Sequence, residues 1–176
     1  MIYLSDTYDN RPILSLRTGG VIGHAYTPII NSQNLKIEGW YATATGEKDH
    51  RILPAGELRD MIAKGFVVND HDALTIPEDM VRMQAIIKAE FELKGISVVT
   101  ESGDKLGKVQ DFATEAETLY VKKLYVNQSL LRSLANFSKG QLIIDRSQIV
   151  DVKKDEIVVK GGEQKADSPE AMAARA

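Results

Sequence analysis

The glycine-rich stretch TGGVIGH (18–24) contains the residue types that most suggest a chemical role. Three glycines followed by a histidine could form a loop that wraps a phosphate. Such a loop needs a helix directly after it, because the N-terminal N–H groups of that helix face the anion. A stretch that alternates polar and apolar residues, typical of a β-strand, follows instead. The glycines therefore predict the tight turn of a β-hairpin, where glycine adopts the backbone angles that other residues avoid.

The histidines do not indicate a metal site. The chain has three, His24, His50 and His71, and none has a second histidine or an acid at the spacing of a helical metal motif. The run NDHDA (69–73) carries oxygen ligands, but it lacks the spacing and the final glutamate of a calcium loop. We expect turns between strands at these places. We expect no metal and no other cofactor.

No sequence motif indicates a catalytic nucleophile or an acid–base pair. No serine lies in a GxSxG elbow, and the chain has no cysteine. Glu115 and Glu117 form a close pair of carboxylates, but they lie in a predicted turn, where acids are common. The sequence therefore favours a protein without catalytic residues. A hydrolase with a cleft between two domains is one alternative, and it predicts a concave pocket lined with perturbed carboxylates or histidines.

The composition indicates a soluble protein with a real core. Of 176 residues, 43% are hydrophobic and 27% are charged, and the net charge is −3. No stretch approaches the roughly 18 apolar residues that cross a bilayer, and the first residues lack the features of a signal peptide. No disulfide can form, so nothing indicates an oxidising compartment. We predict a cytoplasmic location and no membrane span.

The elements that position these residues form an internal repeat. Gly23 and Gly107 each follow an apolar residue after a turn, and a similar strand begins twelve residues later in both places. That strand is LKIEGWYA from Leu35 in the first copy and LYVKKLYV from Leu119 in the second. The second copy has charged residues and no glycine pair at the place of TGG, so the shared feature is a turn and not a phosphate loop.

The parts around this common stretch predict further strands and a few helices. Aligning Ser15 with Ser97 gives the second copy a turn two residues longer before its glycine. Apolar residues at helical spacing predict helices at 56–65 and 77–95. In the second segment, an alternative is a helix in the first half and a strand at 91–93. The segment 129–137 predicts a short helix or a long loop.

These elements predict a mainly β chain of two tandem small β-barrels with short helices. The first barrel covers 10–79, a helical connector covers 80–92, and the second barrel covers 93–161. Each copy is marginal as an independent core at this size, and a barrel that hides its own edges suits it. The segment 162–176 has almost nothing to bury and predicts a disordered tail.

Several stretches recur in the same order in both copies. They are KLGKVQDF (105–112), TLYVKKLYV (118–126), LIIDRSQIVDV (142–152) and DEIVVKG (155–161) in the second copy, with VIGHAY (21–26), LKIEGWYA (35–42), RILPAGEL (51–58) and ALTIPED (73–79) in the first. In these stretches each copy resembles a PRC-barrel domain, the small β-barrel of the photosynthetic reaction-centre H subunit and of the C-terminus of the ribosome maturation factor. The resemblance implies a module for binding and assembly, and it implies no shared catalytic residues.

Aromatic residues and one arginine are the candidates for partner binding. Trp40-Tyr41 aligns with Leu124-Tyr125, and neighbours in a strand point to opposite faces, so one residue of each pair faces outward. Outward tyrosines would give each barrel an amphipathic patch typical of interfaces. A tryptophan in a strand is more often part of the core. An arginine in a barrel strand, such as Arg146, often pairs with a neighbouring acid. The candidate set is Trp40, Tyr41, Tyr125 and Arg146.

The predicted function is a non-enzymatic binding or scaffolding protein whose barrel surfaces hold a macromolecular partner, with a protein as the favoured partner. A homo-oligomer is a reasonable expectation, because small barrels with apolar outer strands often pair. Besides the hydrolase, the alternative is an RNA- or ribosome-associated accessory factor. That alternative predicts a local basic patch at Lys105, Lys108, Lys122 and Lys123 despite the acidic total.

Overall fold

The computed structural model describes residues 1–128, 141–162 and 166–167, the last two by their backbone alone. The chain forms two compact units. The first consists of Met1–Phe91 and Glu115–Tyr120, and the second of Glu92–Thr114 and Val121–Ala176. The prediction of a mainly β chain is confirmed, because strands make up 53% of the described residues, in two sheets of which one curls into a half-barrel.

The first unit is an antiparallel sheet with one parallel pair. Among its described strands the order is β5-β4-β3-β2-β7-β6, and only β2 and β7 are parallel. Strand β1 (Ile2–Leu4) is not part of this sheet. The strands of the sheet are β2 (Arg11–Ser15), β3 (Val21–Asn31), β4 (Lys36–Ala44), β5 (His50–Pro54), β6 (Leu58–Ile62) and β7 (Gly65–Val68). The 3-10 helices are Ser5–Tyr8, Ala55–Glu57, His71–Ala73, Pro77–Asp79 and Val81–Met83, and the α-helix α1 is Gln84–Ala89.

The second unit has the same strand order. Its described strands run β12-β13-β8-β9-β10-β11-β14, and only β8 and β13 are parallel. The strands are β8 (Ser97–Thr100), β9 (Lys105–Glu115), β10 (Val121–Gln128), β11 (Gln141–Asp145), β12 (Ile149–Val152), β13 (Glu156–Val159) and β14 (Ala166–Asp167), with a 3-10 helix at Arg146–Gln148. Strands β2 to β7 therefore correspond one to one with β8 to β13.

The structure corrects the alignment ahead of the two glycines. Ser15 and Thr100 occupy the same place in the two sheets, each opposite the last valine of the parallel partner strand. Ser15 therefore corresponds to Thr100 and not to Ser97. The turn that follows covers 16–20 in the first copy and 101–104 in the second, so the second turn is shorter, not longer. The identical residues Ser15 and Ser97 led to the wrong alignment, because sequence identity at one position does not show which residues occupy the same place in the two sheets.

The predicted helix at 56–65 is wrong. The segment holds a 3-10 turn and then most of the β6–β7 hairpin, in which Met61 lies opposite Phe66. Phe66 is completely buried. Its burial and the parallel pairing of β7 with β2 outweigh the helical spacing of the apolar residues in β6, because pairing within a sheet depends on distant parts of the chain.

The predicted helix at 77–95 is present only in part. Two 3-10 turns precede α1, and Glu90 ends α1 with a φ of 46°, in the left-handed region. The candidate helix at 129–137 lies outside the described residues. So does most of the predicted tail at 162–176, of which the described part includes β14, paired with β11.

The two cores use different residue types on matching positions. In the first unit the rings of Tyr8, Trp40 and Phe66 pack together, with 5.6 Å between the Tyr8 and Trp40 centroids and 4.6 Å between those of Trp40 and Phe66. All three side chains are completely buried. The fully buried core of the second unit is largely aliphatic and includes Val98, Leu106, Leu124, Ile144 and Ile157.

Candidate partner-binding face

Six side chains share the outer side of the second sheet, and we call them the Tyr125 face. Residues directly opposite in an antiparallel pair lie on the same face, and so do residues two apart in a strand. Tyr125 lies opposite Asp111 and Ile143, and Asn127 lies opposite Lys108 and Gln141. The Tyr125 face therefore consists of Lys108, Asp111, Tyr125, Asn127, Gln141 and Ile143.

The alternate residues of the same strands form the core. Leu124, Val126, Leu142 and Ile144 are at most 3% exposed, so the pattern of β10 and β11 turns their neighbours outward. Tyr125 and Ile143 are half-buried on the outer side. An aromatic and an aliphatic side chain thus lie side by side, between polar residues.

Polar contacts fix the rim of the Tyr125 face. Gln141 donates a hydrogen bond from Nε2 to Oε1 of Gln110 at 3.2 Å. Lys94 Nζ lies 3.5 Å from Asp111 Oδ1. Lys108 and Asn127 are exposed. The face is therefore apolar at its centre and polar around it, as protein interfaces commonly are.

The first unit covers the corresponding side of its own sheet. Tyr41 lies opposite Ile52, as Tyr125 lies opposite Ile143. Ile52 is completely buried and packs with Ile29 and Met83. Half-buried side chains that pack against this cluster are Tyr41, Met80, Ile86 and Ile87.

A second segment pairs with the edge strand β5 and places a leucine on the core side of the first sheet, where Gly23 lies opposite Ile13 and Ala44. The backbone N–H of Ile52 donates to Thr75 O at 2.8 Å, and the N–H of Thr75 donates back to Ile52 O at 2.9 Å. Leu74, which precedes Thr75, is 6% exposed. It lies over Gly23, since its Cδ1 is 3.2 Å from the place where a Cβ on Gly23 would lie.

A pocket of about 450 Å³ adjoins the Tyr125 face at Gly107. Gly107 has a φ of 152°, and a Cβ there would overlap the carbonyl oxygen of Asn127, so only glycine fits this close approach of β9 to β10. The lining also includes the Gln128 side chain, whose Oε1 is buried with no hydrogen-bond donor among the described residues. The lining residues are Ser97, Val98, Lys105, Gly107, Lys108, Asn127 and Gln128.

The structure places the four predicted binding residues in different surroundings. Trp40 lies completely inside the core, which corrects its place in the candidate set because it presents no surface to a partner. Arg146 is held by its own unit, donating from Nη1 to Val121 O at 3.3 Å. Tyr41 is half-buried and packs against the cluster of Ile52 and Met83. Tyr125 is on the outer side, at the centre of the face.

Sequence reasoning missed Ile143 and Asn127. Both are neighbours of Tyr125 only through sheet register, and the spacing of Asn127 two residues after Tyr125 was the one local signal. Ile143 reads as an ordinary core residue in the run LIID. Its exposure follows from the register of β11 with β10, which the sequence does not display.

The first unit carries a pair of tyrosines beside a histidine. Tyr26 and Tyr41 are stacked with 6.3 Å between ring centroids, and the Tyr26 hydroxyl is 3.0 Å from Nδ1 of His50. Burial raises the pKa of Tyr26, and the neighbouring Tyr41 adds to the rise. Burial and then Glu90 raise the pKa of Tyr41. Both phenols are therefore neutral near pH 7, as hydrogen-bonding and packing groups.

The predicted basic patch divides into two parts. Lys105 and Lys108 are exposed at the pocket. Lys122 and Lys123 are half-buried, and Lys123 lies opposite Asp145 in the sheet. The N–H and hydroxyl of Ser147 lower the pKa of Asp145, and these two lysines lower it further. That carboxylate offsets part of their charge.

Histidines and carboxylates do not assemble into a metal or catalytic cluster in the part of the chain that the structure describes. No group of three metal-ligating side chains occurs there. His71 Nε2 lies 3.9 Å from a Glu47 carboxylate oxygen, and His50 contacts Tyr26. Glu115 accepts a hydrogen bond from the Thr118 hydroxyl at 2.5 Å.

A second pocket, of about 380 Å³, lies in the first unit beside the edge strand β6. Its lining includes Glu117, whose carboxylate is 3.1 Å from the Met1 ammonium. The backbone N–H of Glu117 and then that ammonium lower its pKa. A general acid needs a raised pKa, so this carboxylate is suited to an ion pair and not to proton donation.

No protein-family model matches the chain, and no curated protein is similar to it. In the described residues, no helix has the length and apolar character needed to cross a membrane.

Proposed function

We propose that this chain is a non-enzymatic binding or scaffolding protein that holds a protein partner on the Tyr125 face. Tyrosine and an aliphatic neighbour at the centre of a polar rim provide contact area together with hydrogen-bonding capacity. Tyr125 and Ile143 have this arrangement on a rigid sheet. Burial of the two side chains would supply the affinity, and the rim would supply the orientation.

One observation carries this proposal. In the first unit, methionine and isoleucine side chains from 80–87 pack with Ile52, and Tyr41 packs against the same cluster. Tyr125 and Ile143 form the same pair at the same place in the second sheet and are half-buried. The fold therefore accepts an apolar segment on this surface, and a partner segment with methionine or aliphatic side chains would fit the second copy in the same way.

The family proposal follows the same lines. The strand order of the two units, repeated strand by strand, supports two tandem PRC-barrel-like domains. Members of that family hold assemblies together without shared catalytic residues, which agrees with a scaffold. We place the protein in the cytoplasm, where a chain without cysteine would work unaffected by redox conditions.

The test compares two surface variants in a capture experiment. Tagged protein is incubated with lysate of the source organism, with and without nuclease, and the captured proteins are identified by mass spectrometry. The test variant is Tyr125→Ser with Ile143→Ser, and the control is Val81→Ser, which removes a 79% exposed apolar side chain from the first unit. We expect the wild type to capture a defined protein, and the test variant to capture about thirtyfold less of it, as for an interface hot spot.

Other outcomes separate the alternatives. Capture that disappears with nuclease would support the RNA- or ribosome-associated function in place of this one. Capture of the chain itself, with a larger mass by light scattering, would identify a homo-oligomer. Equal capture by wild type and by the Tyr125 and Ile143 variant would overturn the proposal for this face.

A further inference from the structure

The space over the paired glycines is filled by a leucine in the first unit, whereas the described residues of the second unit leave a pocket there. In the first unit, Leu74 lies over Gly23 and is 6% exposed. In the second unit, the corresponding place over Gly107 is the pocket of about 450 Å³. The two glycines match in register, since Gly23 lies opposite Ile13 and Gly107 lies opposite Val98. The pocket is thus the place that a leucine occupies in the other copy.

The sequence after the second sheet supplies no equivalent of Leu74. Leu74 is the sixth residue after β7, and the sixth residue after β13 is Lys165. Between 160 and 171 the sequence KGGEQKADSPEA contains no aliphatic residue larger than alanine and no aromatic residue. The second copy therefore has the cavity without the corresponding leucine in this segment.

The charges around the pocket indicate what would enter it. Lys105 and Lys108 are exposed beside it, and no ion pair joins either of them to another residue in the described ranges. The buried Oε1 of Gln128 is an acceptor that calls for a donor, such as a backbone N–H of an incoming segment. The pocket therefore suits a chain that brings negative charge, a backbone donor and an apolar side chain together.

The first unit provides a template for such a chain. Leu74 belongs to the run NDHDALTIP (69–77), in which Asp70 and Asp72 precede the leucine. Thr75 then pairs with the edge strand through two backbone hydrogen bonds. A segment with acids two to four residues before a leucine, with a 3-10 turn at His71–Ala73 directly before that leucine, is thus already bound to this fold in the first copy.

We propose that the pocket over Gly107 receives a leucine-type side chain from a partner protein, in a segment with acidic residues shortly before the leucine. This inference rests on the proposed function, because it names the kind of partner sequence that the second unit recognises. The acids would lie near Lys105 and Lys108. The leucine would fill the cavity as Leu74 fills its counterpart.

The test uses a synthetic peptide of sequence NDHDALTIP, labelled for fluorescence polarisation, and the full chain. We expect saturable binding that weakens at higher salt, since two lysines contribute to it. Replacing the peptide leucine with alanine should weaken binding about thirtyfold, the effect of losing a buried leucine side chain. The protein variant Lys105→Glu with Lys108→Glu should also weaken it about tenfold or more.

A matched control has the same change of charge in the first unit. Lys64→Glu with Lys88→Glu alters two exposed lysines and should leave the affinity for the peptide unchanged. Amide signals of Ser97, Gly107 and Gln128 should shift on titration by NMR. Absent binding at millimolar peptide, binding that tolerates the leucine-to-alanine change, or shifts confined to the first unit would each overturn the inference.

This outcome is separable from that of the proposed function. If the Tyr125 and Ile143 variant loses a captured protein while the peptide does not bind, the pocket inference fails and the scaffold function stands. If the peptide binds as expected while capture is unaffected by that variant, the pocket is supported and the Tyr125 face is not the contact surface.

Discussion

In the first unit, Met83 packs with Ile52 on the outer side of the sheet and Leu74 lies over Gly23. In the second unit, Tyr125 and Ile143 are half-buried, and the described residues leave a pocket at Gly107. The strand order is the same in both units. One surface of the fold therefore serves internal packing in the first copy, and we infer that it serves recognition in the second. Repetition leaves the second copy free to use this surface for a different purpose.

The largest expected effect tests the close approach that both units share. Gly107→Ala should destabilise the second unit by about 4 kcal/mol, because the new Cβ overlaps the Asn127 carbonyl and φ is 152°. Gly23→Ala also overlaps a backbone carbonyl, that of Thr43, but at an ordinary φ, so its cost should be somewhat smaller. Urea denaturation followed by circular dichroism and hydrogen exchange measures both.

The control for these glycine variants is Gly161→Ala. Nothing lies within 4 Å of a Cβ at that position, so the free energy of unfolding should change by less than about 0.5 kcal/mol. If Gly107→Ala behaved like this control, the proposed equivalence of the two glycines would be wrong.

The next effect belongs to the first unit alone. Leu74→Ala should lower its free energy of unfolding by about 3 kcal/mol, since it empties a cavity that the structure shows filled. The chain has one tryptophan, the buried Trp40, so tryptophan fluorescence during denaturation reports this unit specifically. Val81→Ala, at a 79% exposed position, should change it by less than about 0.5 kcal/mol. Equal effects from both substitutions would show that Leu74 does not fill the site.

A smaller effect concerns the start of the 3-10 turn that follows β5 in the first unit and β11 in the second. Asp145 caps this turn in the second unit by accepting from the Ser147 N–H at 2.9 Å, whereas the first unit has Pro54 there and no side-chain cap. Asp145→Ala should cost about 1 kcal/mol at pH 7, measured by hydrogen exchange in β12. Asp155→Ala, which removes another exposed acid, serves as the control for charge.

The pH dependence of that effect follows from the lowered pKa of Asp145. A carboxylate whose pKa is lower in the folded state stabilises the fold above its unfolded pKa, and this contribution is lost as the pH falls through the folded value. The difference between wild type and Asp145→Ala should therefore shrink in acid. A difference that stayed constant from neutral pH to below the folded pKa would mean that the ionised cap is not its source.

The smallest effect concerns a side-chain hydrogen bond between two strands that lie on either side of a third, which occurs at matching places in the two units. The Tyr26 hydroxyl contacts His50 in the first unit, and Gln110 contacts Gln141 at the matching place in the second. Tyr26→Phe should cost about 0.5 kcal/mol, the low end for one hydrogen bond. Since burial raises the pKa of Tyr26, the variant should also lose a late part of the tyrosinate absorbance titration. An unchanged titration would contradict this assignment.

The sequence predicted the repeated Gly-to-strand spacing and the matching of Tyr41 with Tyr125, because both depend on residues close together in the chain. The same residues do lie at corresponding places, opposite Ile52 and Ile143. These predictions succeeded because the face on which each side chain of a strand lies follows from the position of the preceding turn and from the alternation of polar and apolar residues along the strand.

The remaining features depend on residues far apart in the chain. The segment 56–65 has helical spacing, yet it forms strands because β7 pairs in parallel with β2. The packing of 80–87 with Ile52 and of Leu74 over Gly23 is a tertiary effect with no local signature. The difference between the two faces, on which the candidate site depends, was therefore outside the reach of the sequence alone.

The parallel pairs also set the order in which the protein can be made. Strands β2 and β8 each pair with a strand that comes much later, Ile13 of β2 with Phe66 and Val98 of β8 with Ile157. Pairs so distant in sequence slow folding, since the intervening chain must close a large loop. During translation, the first sheet can therefore be completed while the second is still unfinished, and a ribosome that stalled before β13 would hold a finished first unit beside a second unit with an open strand edge, at risk of aggregation.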